Sequence, residues 1–83
     1  MYKIIIQPNA EKKLAKLPKH WQLKIGRAIN LLTIDPFIGK KLHGDHRGSR
    51  VLRAWPYRII YTIDTHRIII HVLDLGHRKD IYQ

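Results

Sequence analysis

Arginine is concentrated in one short stretch, residues 50–61, which reads Arg-Val-Leu-Arg-Ala-Trp-Pro-Tyr-Arg-Ile-Ile-Tyr. The β-branched and aromatic residues around a Trp-Pro break indicate two strands joined by a tight connection, because proline is disfavoured inside a central strand. Neighbouring strands would hold Arg50, Arg53 and Arg58 in fixed positions beside tyrosine rings. Such a surface is suited to binding phosphate groups and stacking on bases. Taken alone, each arginine is also typical of a solvated strand face.

A second basic segment precedes this stretch. A connecting loop of roughly 13 residues begins at Phe37 and contains three glycines and a single acid, Asp45. A loop of that length inside a small domain is more often functional than idle. We therefore predict that residues from the loop and from the arginine-rich stretch bind phosphate groups: Lys41, His46, Arg47, Arg50 and Arg53.

The overall charge narrows the classes of partner. The 83 residues include 16 Lys and Arg against 6 Asp and Glu, a formal net charge of +10. A field of that sign attracts polyanions, which include nucleic acids and acidic proteins. An anionic membrane surface is disfavoured, because arginine concentrates in predicted strands rather than in a basic amphipathic helix.

Several other classes are excluded by composition. The chain has no cysteine, so disulfides and thiolate zinc sites are unavailable. The six histidines form no complete metal motif such as H-E-x-x-H, and we expect neither a metal nor another cofactor. No signal peptide or apolar run of roughly 20 residues is present, which leads us to expect a cytoplasmic protein without a membrane partner.

The hydrophobic pattern predicts one α+β domain spanning residues 1–83. A short strand at 2–7 is followed by a helix from Asn9 to Pro18 and a second helix from about Lys19 to Ile34. Three strands follow, at about Ser49–Ala54, Tyr57–Asp64 and Arg67–Leu75. The predicted order is β-α-α-β-β-β, a small and mostly antiparallel sheet with the N-terminal helical hairpin packed on one face. The run Ile68-Ile69-Ile70 is expected to be a core strand that, as a sheet edge, could accept a partner's strand.

Three motifs follow one another along the chain. They are Asp35-Pro36-Phe37-Ile38-Gly39-Lys40-Lys41-Leu42-His43-Gly44-Asp45, then Leu52-Arg53 with Tyr57-Arg58-Ile59-Ile60-Tyr61, and finally Gly76-His77-Arg78-Lys79-Asp80-Ile81-Tyr82. Together they resemble the RelE/ParE superfamily of bacterial and archaeal toxins, and the resemblance covers essentially the whole chain. It implies a RelE-like toxin of a type II toxin–antitoxin pair, inhibited by a RelB-like protein antitoxin that wraps it. Operator DNA would be reached only through that complex.

The resemblance implies more than one activity. RelE-like members cut mRNA in the ribosomal A site without a metal, whereas ParE-like members inhibit DNA gyrase and cut nothing. One fold carries both activities, so the fold alone does not choose between them. We favour the RelE-like endoribonuclease, which would act on the ribosome and its mRNA and inhibit translation. The alternatives are a gyrase inhibitor and a degenerate member that binds only its antitoxin.

The resemblance also implies roles for individual residues. Arg58 would hold the scissile phosphate and stabilise its transition-state charge, Arg78 would support the leaving oxygen, and Tyr82 would stack on a base. Arg53 would contact the RNA backbone. Relatives often carry Lys or Arg two residues before Arg53, where this chain has Val51. Arg50 could compensate only if a bulge turned it to the other face.

Histidine offers a proton acceptor near neutral pH. His77, beside Arg78, and His46, in the basic loop, are both candidates to accept the 2′-OH proton. The alternative for His77 is a structural residue that caps the last strand. For His46 the alternative is a solvated loop residue.

Overall fold

The computed structural model describes residues 1–44 and 47–79. Its elements are, in order, β1 (Lys3–Ile6), α1 (Pro8–Ala15), α2 (Lys19–Ile34), β2 (Lys40–Lys41), β3 (Arg50–Ala54), β4 (Tyr57–Asp64) and β5 (Ile69–His77). The predicted α+β class is confirmed, with one addition. The two-residue strand β2 lies inside the predicted loop. None of the described helices is long and apolar enough to cross a bilayer.

The five strands form one mixed sheet in the order β1-β5-β4-β3-β2. Strand β1 runs parallel to β5, and every other pair is antiparallel. The prediction that Ile68–Ile70 could be a sheet edge is wrong, because β1 pairs beside β5 and places it inside the sheet. Ile69 and Ile70 lie opposite Lys3 and Ile4, while Ile68 lies in the preceding turn with a φ of 58°.

Both helices pack on one face of the sheet. Ile25 and Ile29 of α2 and Ala10 of α1 form a buried cluster with Ile59 and other strand residues. Tyr57 lies two residues from Ile59 on the same face, and its ring meets the Trp21 ring edge-on at 5.5 Å between centroids. This contact confirms the predicted packing of the helical hairpin on one face of the sheet.

We call the side of the sheet opposite the helices the open face, and the alternation of side chains along each strand shows which residues lie on it. Successive side chains of a strand point to opposite faces, and residues paired across neighbouring strands share a face. Because Ile59 points to the helices, its neighbours Arg58 and Ile60 point away from them. Arg58 pairs with Arg53 and Ile60 pairs with Val51, so Arg53 and Val51 also lie on the open face. Lys40 pairs with Val51 and lies there as well.

Candidate nucleic-acid interface

Two arginines lie directly opposite each other on the open face. The register of β3 and β4 pairs Arg53 with Arg58, Arg53 being exposed and Arg58 partly buried. Arginine side chains paired across two strands can both donate charge-assisted hydrogen bonds to one anion, so the arrangement suits a phosphate-binding surface.

A third cation joins this surface from β2. Lys40 pairs with Val51 and lies on the open face, whereas Lys41 pairs with Arg50 and lies on the helix side. Lys40 and Arg53 flank a concavity of about 250 Å³ that is also lined by Ile38, Val51 and Leu52. Sequence reasoning selected Lys41 and missed Lys40, because a two-residue strand is too short for alternation to be recognised.

The segment that carries Lys40 is held by a buried tyrosine. The Tyr61 hydroxyl donates to the Pro36 carbonyl at 2.7 Å and accepts from the Gly39 N–H at 3.0 Å. Burial of the phenol raises the pKa of Tyr61 above its ordinary value of 10.0. A Cβ atom at Gly39 would lie 2.5 Å from the Tyr61 hydroxyl and 2.8 Å from the Val51 carbonyl. The close approach therefore requires glycine.

Arg50 holds the same segment from the helix side. Its guanidinium donates to the Gly39 carbonyl at 2.8 Å, and it lies 5.1 Å from the centre of the Phe37 ring. The register shift in the sheet lies between Ile60 and Tyr61 in the β4–β5 pair, while the β3–β4 register is continuous. No bulge in β3 turns Arg50 toward the open face, so the structure does not bring it to Arg53 and Arg58.

Arg78 lies at the same end of the sheet as Arg58. Arg58 pairs with Gly76, and two residues further on the Arg78 N–H donates to the Pro56 carbonyl at 2.9 Å. The Arg78 guanidinium lies 4.8 Å from the centre of the Trp55 ring, which is 58% exposed. This cation–π contact orients Arg78 at the β3–β4 corner.

His77 lies on the other side of the sheet. It pairs with Tyr57, and the two rings meet edge-on at 5.8 Å between centroids. The His77 Nδ1 accepts from the Lys79 N–H at 3.3 Å, which places the proton of a neutral imidazole on Nε2. The geometry thus favours the structural interpretation of His77, and the structure does not bring it to the Arg53–Arg58 pair.

The predicted loop contacts form a separate group. Lys41, Arg47 and Arg50 line a concavity of about 310 Å³ together with Leu42, His43, Gly48 and Ser49. The predictions for His46 and Tyr82 lie outside the described residues. Within residues 1–44 and 47–79, no three histidine or carboxylate side chains group as metal ligands would.

Two ion pairs within the described residues involve neither Lys40 nor Arg53. Lys13 contacts Asp74 at 2.7 Å, and Arg67 contacts Asp64 at 3.9 Å. Burial acts to raise the pKa of Asp74, but the Lys13 ammonium and the Leu75 N–H outweigh it and hold that pKa below its usual value. The hydrogen bond from the Arg67 N–H is the largest cause of the lowered pKa of Asp64. These carboxylates are thus committed to cations other than Lys40 and Arg53.

The fold is that of a family of toxins. Residues 4–82 match the family described as "ParE toxin of type II toxin-antitoxin system, parDE". The chain belongs to this family, and it is therefore a type II toxin of the RelE/ParE superfamily.

Individual relatives agree with this assignment. Toxin RelG of Mycobacterium tuberculosis (strain ATCC 25618 / H37Rv) is 30% identical over 84 residues, covering 99% of this chain and 97% of that protein. A chain of the toxin–antitoxin complex RelBE2 of M. tuberculosis superposes with a TM-score of 0.85 at 28% identity, covering 93% of this chain and 98% of that one. The E. coli RelBE toxin–antitoxin complex shares the fold, with a TM-score of 0.79, 21% identity and coverage of 93% and 96%.

Proposed function

We propose that this toxin is a metal-independent, ribosome-dependent endoribonuclease that cuts mRNA and so inhibits translation. The observation that carries the proposal is the Arg53–Arg58 pair on the open face. The guanidinium groups of these paired residues are planar and permanently charged, which suits recognition of a phosphodiester backbone.

The proposed chemistry is attack of a ribose 2′ oxygen on the adjacent phosphorus, as the 2′-OH proton passes to water. The bond from phosphorus to the 5′ oxygen breaks, and the 5′ oxygen takes a proton from water. Negative charge develops on the phosphoryl oxygens during this step. Arg58 stabilises that charge, and Arg53 holds the backbone beside it. Arg78, oriented by Trp55, supports the departing 5′ oxygen from the same end of the sheet.

The proposed partner is a cognate RelB-like antitoxin. The support comes from two structural relatives, each of which was solved as a toxin–antitoxin complex. Operator DNA would be reached through the antitoxin, while the ribosome and its mRNA are the targets of the free toxin.

Ribosomes programmed with a defined mRNA test the proposal. Wild-type toxin is expected to cut within the A-site codon, and Arg58→Ala to slow cutting by about 100- to 1000-fold, the range seen when one donor to a transition-state oxyanion is removed. Arg67→Ala is the matched control, because this exposed arginine lies in the turn before β5 and is expected to leave the rate unchanged. Absence of cutting by the wild type, or equal losses in both variants, would contradict the proposal.

Inhibition of DNA gyrase is the second candidate. It is favoured by the description of the matching family, parDE, and by Trp55, whose exposed ring at the β3–β4 corner suits a protein contact. A supercoiling assay separates the two. Wild-type inhibition of gyrase that Trp55→Ala abolishes, without any mRNA cutting, would establish this alternative.

A further inference from the structure

We infer that the concavity between Lys40 and Arg53 is a phosphate-binding subsite for single-stranded RNA. Its phosphate would neighbour the one held by Arg58, and Lys40 rather than Lys41 would supply the cation from β2. The inference rests on the proposed function, since it names where the RNA backbone runs on the same open face.

The position of Lys40 follows from the sheet register. Lys40 lies opposite Val51, and Arg53 lies two residues along the same strand. Diagonal neighbours across two strands are about 7–8 Å apart, within reach of long side chains. The concavity of about 250 Å³ lies between them, and Val51 forms part of its lining. A phosphate there would meet two cations above an apolar floor.

The backbone at Lys40 is held before any ligand arrives. The Gly39 N–H donates to the Tyr61 hydroxyl, and the Gly39 carbonyl accepts from Arg50. The residue that precedes Lys40 is therefore held at both of its backbone polar groups. On the other side, the Leu42 N–H donates to the Ser49 carbonyl at 3.0 Å. A cation on an anchored backbone loses less conformational freedom on binding than one on a mobile loop.

The charge of the subsite is not balanced by described neighbours. Neither ion pair of residues 1–44 and 47–79 includes Lys40 or Arg53, and both side chains are exposed. Three cations occur on adjacent strands of this face, at Lys40, Arg53 and Arg58. Lys40 also places a basic group opposite Val51, a position at which β3 itself has no basic residue.

Binding of a labelled single-stranded RNA oligonucleotide across a salt series tests the subsite independently of cleavage. One lost phosphate contact lowers the log–log salt slope by about 0.7. We expect Lys40→Ala to show that loss, which corresponds to about eightfold weaker binding at about 0.05 M salt if the affinities converge near 1 M. Lys40→Arg should keep the slope. Lys12→Ala, which removes the same charge from exposed α1, should also keep it.

Thermal unfolding shows whether each variant is folded, and the ribosome assay separates failure of the subsite from failure of the proposed nuclease. A reduced slope in folded Lys40→Ala supports the subsite even if the wild type cuts no mRNA, an outcome that would overturn only the proposed nuclease. An unchanged slope, or equal losses in Lys40→Ala and Lys12→Ala, would overturn the subsite even if the wild type cuts mRNA. Loss of slope in Lys40→Arg as well as in Lys40→Ala would also overturn it, because a retained cation should suffice.

Discussion

Two arginines of strand β3 lie on opposite faces of the sheet and in different surroundings. Arg50 points to the helix side, where its guanidinium binds the Gly39 carbonyl and lies against the Phe37 ring. Arg53, three residues later, points to the open face and lies opposite Arg58. An odd separation along a strand puts two side chains on different faces. The surroundings of an arginine here are therefore decided by its position along the strand and by its pairing rather than by its residue type.

We also expect the two faces to divide stability from binding. On the helix side, Tyr61 and Arg50 fix the segment from Pro36 to Gly39, and through it the position of β2. On the open face, Lys40 and Arg53 are exposed. Substitutions on the helix side should act first on the free energy of unfolding, whereas those on the open face should act first on RNA binding.

Gly39→Ala should give the largest effect on the helix side. The new Cβ would lie 2.5 Å from the Tyr61 hydroxyl and 2.8 Å from the Val51 carbonyl, and the backbone carbonyl cannot move aside without shifting β3. We expect the free energy of unfolding in urea to fall by about 3 kcal/mol, the upper part of the range for overpacked sites.

Gly26→Ala is the matched control for that substitution. Gly26 lies inside α2, and an added Cβ would meet no atom within 4 Å. Alanine should raise the free energy of unfolding by about 0.5–1 kcal/mol, because glycine is the weaker helix former. If Gly39→Ala were as well tolerated as Gly26→Ala, the contact between Gly39 and Tyr61 would not be a constraint on β2.

Tyr61→Phe should have an intermediate effect that depends on pH. The variant leaves the Pro36 carbonyl and the Gly39 N–H without their partner, which should lower the free energy of unfolding by about 2 kcal/mol at neutral pH. Burial raises the folded-state pKa of Tyr61 above 10.0, so its contribution is complete below that pH. It is lost as pH rises further, because the unfolded chain releases the phenolic proton more readily.

The difference in the free energy of unfolding between wild type and Tyr61→Phe isolates this contribution, because the two proteins differ only at this hydroxyl. We expect the difference to stay constant up to about pH 9 and to shrink from there to about pH 11, across the ordinary tyrosine pKa. A difference that stayed constant over this interval would show that the phenol ionises equally in the folded and unfolded chains.

The helices and long strands could be predicted because their signals are local. Apolar spacing along α2 and the β-branched runs of β3 and β4 report periodicity within a few residues. The place of β1 could not be predicted in this way. Its parallel pairing with β5 joins the two ends of the chain, and this long-range pairing moved Ile69 and Ile70 from an expected edge to the sheet interior.

The residue types of the candidate site could be predicted from the sequence, but their spatial arrangement could not. Arg53 and Arg58 were recognisable because the strands around them are long and joined by a tight corner. The opposite faces of Lys40 and Lys41 depend on pairing with β3, which two residues of sequence do not encode. The position of His77 depends likewise on its pairing with Tyr57 across β4 and β5.

The smallest of these effects on stability separates the two arginines of β3 directly. Arg50→Ala should lower the free energy of unfolding by about 1 kcal/mol, because the Gly39 carbonyl loses a charged donor and Phe37 loses its cation–π partner. Arg53→Ala should change it by less than about 0.5 kcal/mol, as expected for an exposed side chain. Urea titrations of the two variants measure this difference.

RNA binding should show the reverse order. Arg53→Ala is expected to lower the log–log salt slope by about 0.7, one phosphate's share, while Arg50→Ala keeps the slope once the folded fraction is equal. Since both variants lose one arginine from the same strand, net charge cannot account for a difference between them. Equal slopes in the two variants would show that RNA senses the total charge of the sheet, and the distinction between its two faces would then have no functional content.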